Sequence, residues 1–168
     1  MDQWLVITLR IIHIFTGAAW VGGAFLLSGF LIPTSKRLGP AAGSSYLNAF
    51  LDHPWFSRYI SGVEGLAVLT GLILFWNTSG GLETTWLTSP TGLAFAIGGT
   101  AAIVALVVSG RISATLGSLY RTGQEISEDP GRDFAFHQRH AVLARLGNLY
   151  LTMLVIALGG MASAQYLN

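Results

Sequence analysis

Four stretches of this chain, residues 4–32, 55–76, 91–120 and 142–166, each stay apolar over the roughly 20 residues that a helix needs to cross about 30 Å of hydrocarbon. No fifth stretch does. With hydrophobic residues at 52%, charged residues at 10% and a mean hydropathy of +0.57, the chain is too apolar for an ordinary soluble domain. Backbone polar groups in lipid must be satisfied within each segment, so the expected fold is all-α. It is a polytopic membrane protein with one domain, residues 1–168, built as a four-transmembrane-helix bundle. The first stretch has no basic run ahead of it and exceeds signal-peptide length, so it is expected to be retained rather than cleaved.

Charge sets the expected topology. Lys36, Arg37 and Arg58 flank the first connection, and Arg111, Arg121, Arg132 and Arg139 lie along or beside the third. The second connection, from Asn77 to Pro90, has no basic residue. Positive residues favour the cytoplasmic side, which leaves both termini outside. Trp4, Trp76, Trp86 and Tyr166 then fall at the outer boundary, where interfacial aromatics collect. Pro33, Gly39, Pro40 and Gly43 in the first connection, and Asn77, Ser79, Gly80, Gly81 and Pro90 in the second, read as turns. The third connection carries Glu125, Glu128 and Asp129, with surface-helix character in part.

The first span holds two ionisable residues, Arg10 and His13. Each costs several kcal/mol in hydrocarbon, roughly 2.5–3.5 for Arg on insertion scales, so such groups face a protein interior or a ligand. Arg10, His13, Gly17, Trp20 and Ala24 step by three and four and share one helix face. An imidazole there can ligate haem iron, a glycine one turn on admits a porphyrin plane, and an arginine one turn outward can pair with a propionate. Equally, His13 can hydrogen-bond to a neighbouring helix while Arg10 reaches the headgroups. Cysteine is absent, which excludes thiolate ligands and haem attached through a Cys-x-x-Cys-His motif. His53 and His140 begin the second and fourth spans at the opposite end, roughly 20 Å from His13, and cannot share its iron. Met161, or Met153 nearer the middle, can approach His13 in depth, giving His/Met or five-coordinate iron.

Other polar positions carry two readings each. Glu64 lies near the middle of the second span, where a carboxylate needs a partner; Arg111 is the expected one, as a structural pair or as part of a proton relay or quinone-head contact. Arg145, Asn148 and Thr152 form a stripe that bonds between helices or lines a ligand cavity. His137 and His140, spaced i, i+3, with Asp133, Asp52 and His53 nearby, are either interfacial side chains or a site for copper or zinc. Gly98, Ala102, Ala105, Ser109, Ser113 and Gly117 mark a close-packing face on the third span, and Gly62, Gly65 and Gly71 do so on the second or leave room for a flat ligand. No phosphate loop, nucleophile elbow or basic nucleic-acid patch is present.

The run Arg10-Ile11-Ile12-His13-Ile14-Phe15-Thr16-Gly17-Ala18-Ala19-Trp20-Val21-Gly22-Gly23 resembles the first helix of a group of small bacterial membrane proteins. The group includes the CopD-like copper-resistance proteins, the HemJ-type protoporphyrinogen oxidases and the membrane domain of cytochrome-linked urate oxidase. Arg145-Leu146-Gly147-Asn148 opens a last helix similar to theirs. The resemblance implies haem b on His13 in an inner-membrane bundle, serving electron transfer or an oxidation coupled to a quinone or cytochrome, as an oligomer or a subunit of a larger complex. It also keeps a metal-handling role open, beside that of a cofactor-free structural subunit. HemJ-type enzymes use a lysine in a later helix, whereas the single lysine here, Lys36, lies in the first connection; porphyrinogen oxidation by that route is not implied.

Overall fold

The computed structural model describes residues 1–51, 53–124, 130–164 and 166–167. All regular elements among them are helical. Helix α1, Gln3–Leu26, runs through a wider turn at Leu27–Leu31 into α2, Ile32–Leu51. Pro33 explains that turn: proline lacks the N–H and crowds the carbonyl one turn earlier, and a π-type widening just ahead of it relieves the conflict. The turns expected around Pro33 and Gly43 therefore do not interrupt the helix. The chain breaks only at Gly39, whose φ of 79° favours glycine, and Pro40 restarts it. The segment after Gly39 folds back, so that Ser35 Oγ donates to Gly43 O at 2.9 Å.

Helix α3 spans Pro54–Thr78 and opens on proline in its first turn. Gly80, Gly81 and Leu82 follow with positive φ, and Leu82 holds this conformation with its N–H bonded to Ser79 Oγ at 2.9 Å. The short α4, Thr84–Leu87, leads into α5, Pro90–Gln124, and α6, Pro130–Ala164, completes the bundle. The expected spans 4–32, 55–76 and 91–120 lie within helical chain, and α6 begins well before residue 142. Four helices, in 3–50, 58–78, 90–118 and 134–164, are long and apolar enough to cross a membrane.

The bundle is two pairs. The closest packing joins α1 to α3 and α5 to α6. Between α5 and α6 the backbones nearly touch: a Cβ on Gly160 would lie 2.8 Å from Ala94 O, and one on Gly98 would lie 3.0 Å from Ala157 O. Such approach is what small residues permit where lipid tails supply no hydrophobic drive between helices. Of the stripe on α5, Gly98, Ala105 and Ser109 are buried while Ser113 and Gly117 face outward, because a period of 3.6 rotates a stripe of fixed step away from its partner. Phe15, Leu69, Ile97, Val107, Val155 and Leu158 point outward and are exposed.

Candidate functional site

The helical spacing of α1 carries Arg10, His13, Gly17 and Trp20 onto one cavity of about 590 Å³. It lies between the two helix pairs, in the half of the bundle that holds both chain termini, and α3, α5 and α6 supply the other walls. Its volume falls in the roughly 300–1,000 Å³ range of cofactor and ligand sites. Trp86 of α4 covers the end nearest the termini, edge-on to Phe75 at 5.5 Å and stacked on Phe95 at 6.1 Å. This tryptophan, expected at the outer boundary, is half-buried and lines the cavity.

His13 is fixed on three sides. Its Nδ1 lies 2.9 Å from Ala67 O and 3.2 Å from Thr70 Oγ1, and Thr70 gives its own proton to Leu66 O at 2.6 Å. A carbonyl only accepts, so Nδ1 carries the proton and the lone pair of the neutral ring sits on Nε2. The ring also rests on the α3 backbone, since a Cβ on Gly71 would come within 2.9 Å of His13 Cε1. Across the bundle, Nε2 faces Met161 Sδ at 3.4 Å. Met161 is placed by the tight α5–α6 contact, where a Cβ on Gly98 would sit 3.5 Å from its backbone N.

The bond to a backbone carbonyl fixes the tautomer and the ring orientation, as it does both in a histidine that joins two helices and in one that ligates a metal. Gly17 has nothing within 4 Å of a Cβ position, leaving open space one turn from His13. Arg10 is exposed at the cavity edge, one turn to the other side. These residues fit a flat, anionic, iron-bearing cofactor. Met161, whose stem is flexible, would be the residue facing His13 across such a group. At 3.4 Å, the two donors instead subtend roughly 105° at a single small ion.

A second polar group lies one turn along α3 from Ala67. Glu64 is buried, and its Oε1 accepts from Tyr150 OH at 2.6 Å and from Ser109 Oγ at 2.7 Å. Tyr150 OH in turn accepts from Trp20 Nε1 at 2.5 Å. The network takes one residue from each of α1, α3, α5 and α6, and Trp20 joins it to the cavity wall. Arg111, the expected partner of Glu64, is exposed. It follows Ser109 by two residues, about 200° around the helix, and so faces away. Tyr150 was legible only as two residues beyond Asn148, off the Arg145–Asn148–Thr152 stripe. All three stripe residues are exposed.

The remaining histidines separate. His53 precedes α3 and is exposed, as is His137. His140 is buried: Nδ1 donates to Phe136 O at 3.1 Å, Nε2 lies 3.0 Å from Ser35 Oγ, and the ring packs on Phe136 at 4.1 Å. The Nε2 contact ties α6 to α2, while the Nδ1 bond stays within α6. Among the described residues no three His, Cys, Asp or Glu side chains form a metal-holding group. Asp52, Glu125, Glu128 and Asp129 lie outside the described residues, as does the side chain of Asp133.

No protein family, curated protein or solved structure matches this chain.

Proposed function

We propose that the chain is a multi-pass protein of the bacterial inner membrane, with both termini outside, that holds haem b through His13 and serves electron transfer with a quinone or cytochrome. The observation that carries this reading is the contact of His13 Nδ1 with Ala67 O, which leaves Nε2, facing Met161 Sδ, as the ring nitrogen available beside the cavity. The resemblance of the α1 sequence supports it, as does the basic character of the first and third connections.

Bound there, the haem supplies a one-electron carrier. Ala67 and Thr70 orient the imidazole, and Gly71 lets the ring lie against α3. Arg10, exposed at the cavity edge, would pair with the carboxylates of the bound group. Trp86, Phe75 and Phe95 give the cavity an apolar aromatic wall, which would lower the local dielectric beside a bound cofactor. Protein purified in detergent from haem-replete cells tests the reading: a Soret band is expected in the wild type, and His13→Ala removes it.

The 3.4 Å separation of His13 Nε2 and Met161 Sδ favours one alternative, a soft monovalent ion such as copper(I) held by imidazole and thioether. Elemental analysis after incubation with copper(I) distinguishes the two. Stoichiometric copper that is lost in Met161→Leu, without a Soret band, selects the alternative.

A further inference from the structure

We propose that Arg111 and Arg145, with Asn148 beside them, form a site on the outer side of the α5–α6 pair for the phosphate headgroup of an anionic phospholipid. This rests on the membrane reading above and is independent of the haem.

Two arginines from different helices meet at one level. Ala94 packs against Gly160, Gly98 against Ala157, and Arg139 donates to Ser118 O at 2.7 Å, so α5 and α6 run antiparallel. Arg111 follows Gly98 by thirteen residues and Arg145 precedes Ala157 by twelve, which at about 1.5 Å per residue leaves them level to roughly 1.5 Å. They also share a side. Ser109 faces inward to Glu64 on α3, and Gly147 faces inward to Ser28, whose Oγ lies 2.9 Å from a Cβ built there. Arg111 and Arg145 each stand two residues from one of these, about 200° around the helix, and both are exposed on the side away from the other helix pair.

Depth and charge select the ligand. Thr91 Oγ1 donates to Leu167 O, which sets the start of α5 beside the C-terminal end of the chain. Counted from Pro90 and from Ala164, the two arginines lie about 31 and 28 Å along their helices, close to the roughly 30 Å thickness of hydrocarbon. They therefore reach the far headgroup layer, which the proposed orientation makes the cytoplasmic leaflet. Neither guanidinium has an acidic partner among the described residues. Asn148, exposed one turn nearer the termini, has no partner for its amide there either, and an unpaired amide at hydrocarbon depth is costly. One anionic phospholipid satisfies all three: its phosphate oxygens accept from both guanidiniums, and an ester carbonyl of its glycerol accepts from Asn148. Val104 and Ile156 extend the same two faces toward the termini and are exposed, a track for the acyl chains. A free phosphate leaves both the amide and the track without a partner.

The test is native mass spectrometry of the full chain in neutral detergent, offered phosphatidylglycerol and phosphatidylcholine in equal amounts. The wild type is expected to retain phosphatidylglycerol in preference. Each arginine near a membrane surface is worth about fivefold, so Arg111→Gln combined with Arg145→Gln lowers that preference by roughly twenty-five-fold. Arg58→Gln removes an exposed charge from α3 at the same end of the bundle and leaves the preference unchanged. Unchanged circular dichroism is expected for all of these exposed substitutions. Equal retention of the two lipids by the wild type, or equal losses in Arg58→Gln and the double variant, overturns the site. Displacement of the lipid by millimolar inorganic phosphate assigns the site to a free anion and overturns the lipid. Washing membranes with alkaline carbonate separates this from the membrane reading: a chain that stays in the pellet but shows no lipid preference fails only the site, and one that washes out contradicts the membrane reading itself.

Discussion

His13 Nε2 and Met161 Sδ face each other at 3.4 Å across the bundle, one from the first helix and one from the last. Since Nδ1 is committed to Ala67 O, the contact brings together two lone-pair donors with no proton between them in the neutral ring. Both atoms border the cavity. A pair of this kind is suited to receiving an electropositive centre, and the variants that follow separate its supports from the rest of the fold.

Gly71→Ala places a methyl group 2.9 Å from His13 Cε1, and neither partner is a flexible chain end. The ring is pushed off Ala67, at an overpacking cost of about 1–3 kcal/mol. Cofactor occupancy, read as Soret absorbance per protein, is expected to fall steeply. Gly17→Leu enters open space and leaves folding intact, yet it fills the cavity and should lower occupancy equally. Undiminished occupancy in both variants contradicts the assignment of the cavity.

Gly160→Ala drives a methyl group toward Ala94 O at 2.8 Å and is expected to destabilise the α5–α6 pair by about 1–3 kcal/mol in reversible detergent unfolding. Its neighbour provides the control. Gly159 is exposed with nothing within 4 Å of a Cβ, so Gly159→Ala should stay within about 0.5 kcal/mol of the wild type.

Tyr150→Phe removes the acceptor for Trp20 and one of the two donors to Glu64. Interhelical hydrogen bonds of this sort average about 0.6 kcal/mol and reach about 1.7 in membranes. Losing two in a buried network is expected near the upper end. Unfolding followed by tryptophan fluorescence reports it, since the Trp20 indole loses its partner in the same step.

Among the histidines away from the cavity, His140→Ala should cost about 2–4 kcal/mol, because the ring is buried and both nitrogens are bonded. His53→Ala and His137→Ala, both exposed, should stay within about 0.5 kcal/mol. Thermal unfolding of the three variants in one detergent checks the order.

The four apolar spans and the Arg10–His13–Gly17–Trp20 face were legible because each depends only on spacing within one helix. Depth along the bundle could also be counted, which placed Met161 level with His13. Rotation could not. Choosing Arg111 over Ser109 as the partner of Glu64 turned on which side of α5 faces α3, and a single sequence holds no record of how two helices are turned toward each other. Tyr150 was missed as a site residue for the same reason, and Gly71 was named for close packing or room for a flat ligand without its contact to His13, since each matters through a contact with another helix. Pro33 misled differently: its usual disruption of a helix is absorbed by the wide turn at Leu27–Leu31. His140, paired by spacing with His137, faces inward instead, where its Nε2 lies 3.0 Å from Ser35 Oγ on α2.

The most direct test of a haem on His13 is the absorption spectrum of purified protein beside that of His13→Ala and Met161→Leu. The wild type is expected to show a Soret band at about one haem per chain. His13→Ala should lose it while keeping its helical content by circular dichroism, and Met161→Leu should retain the band with altered axial ligation. A wild-type spectrum without a Soret band, or a band unchanged in His13→Ala, contradicts the account.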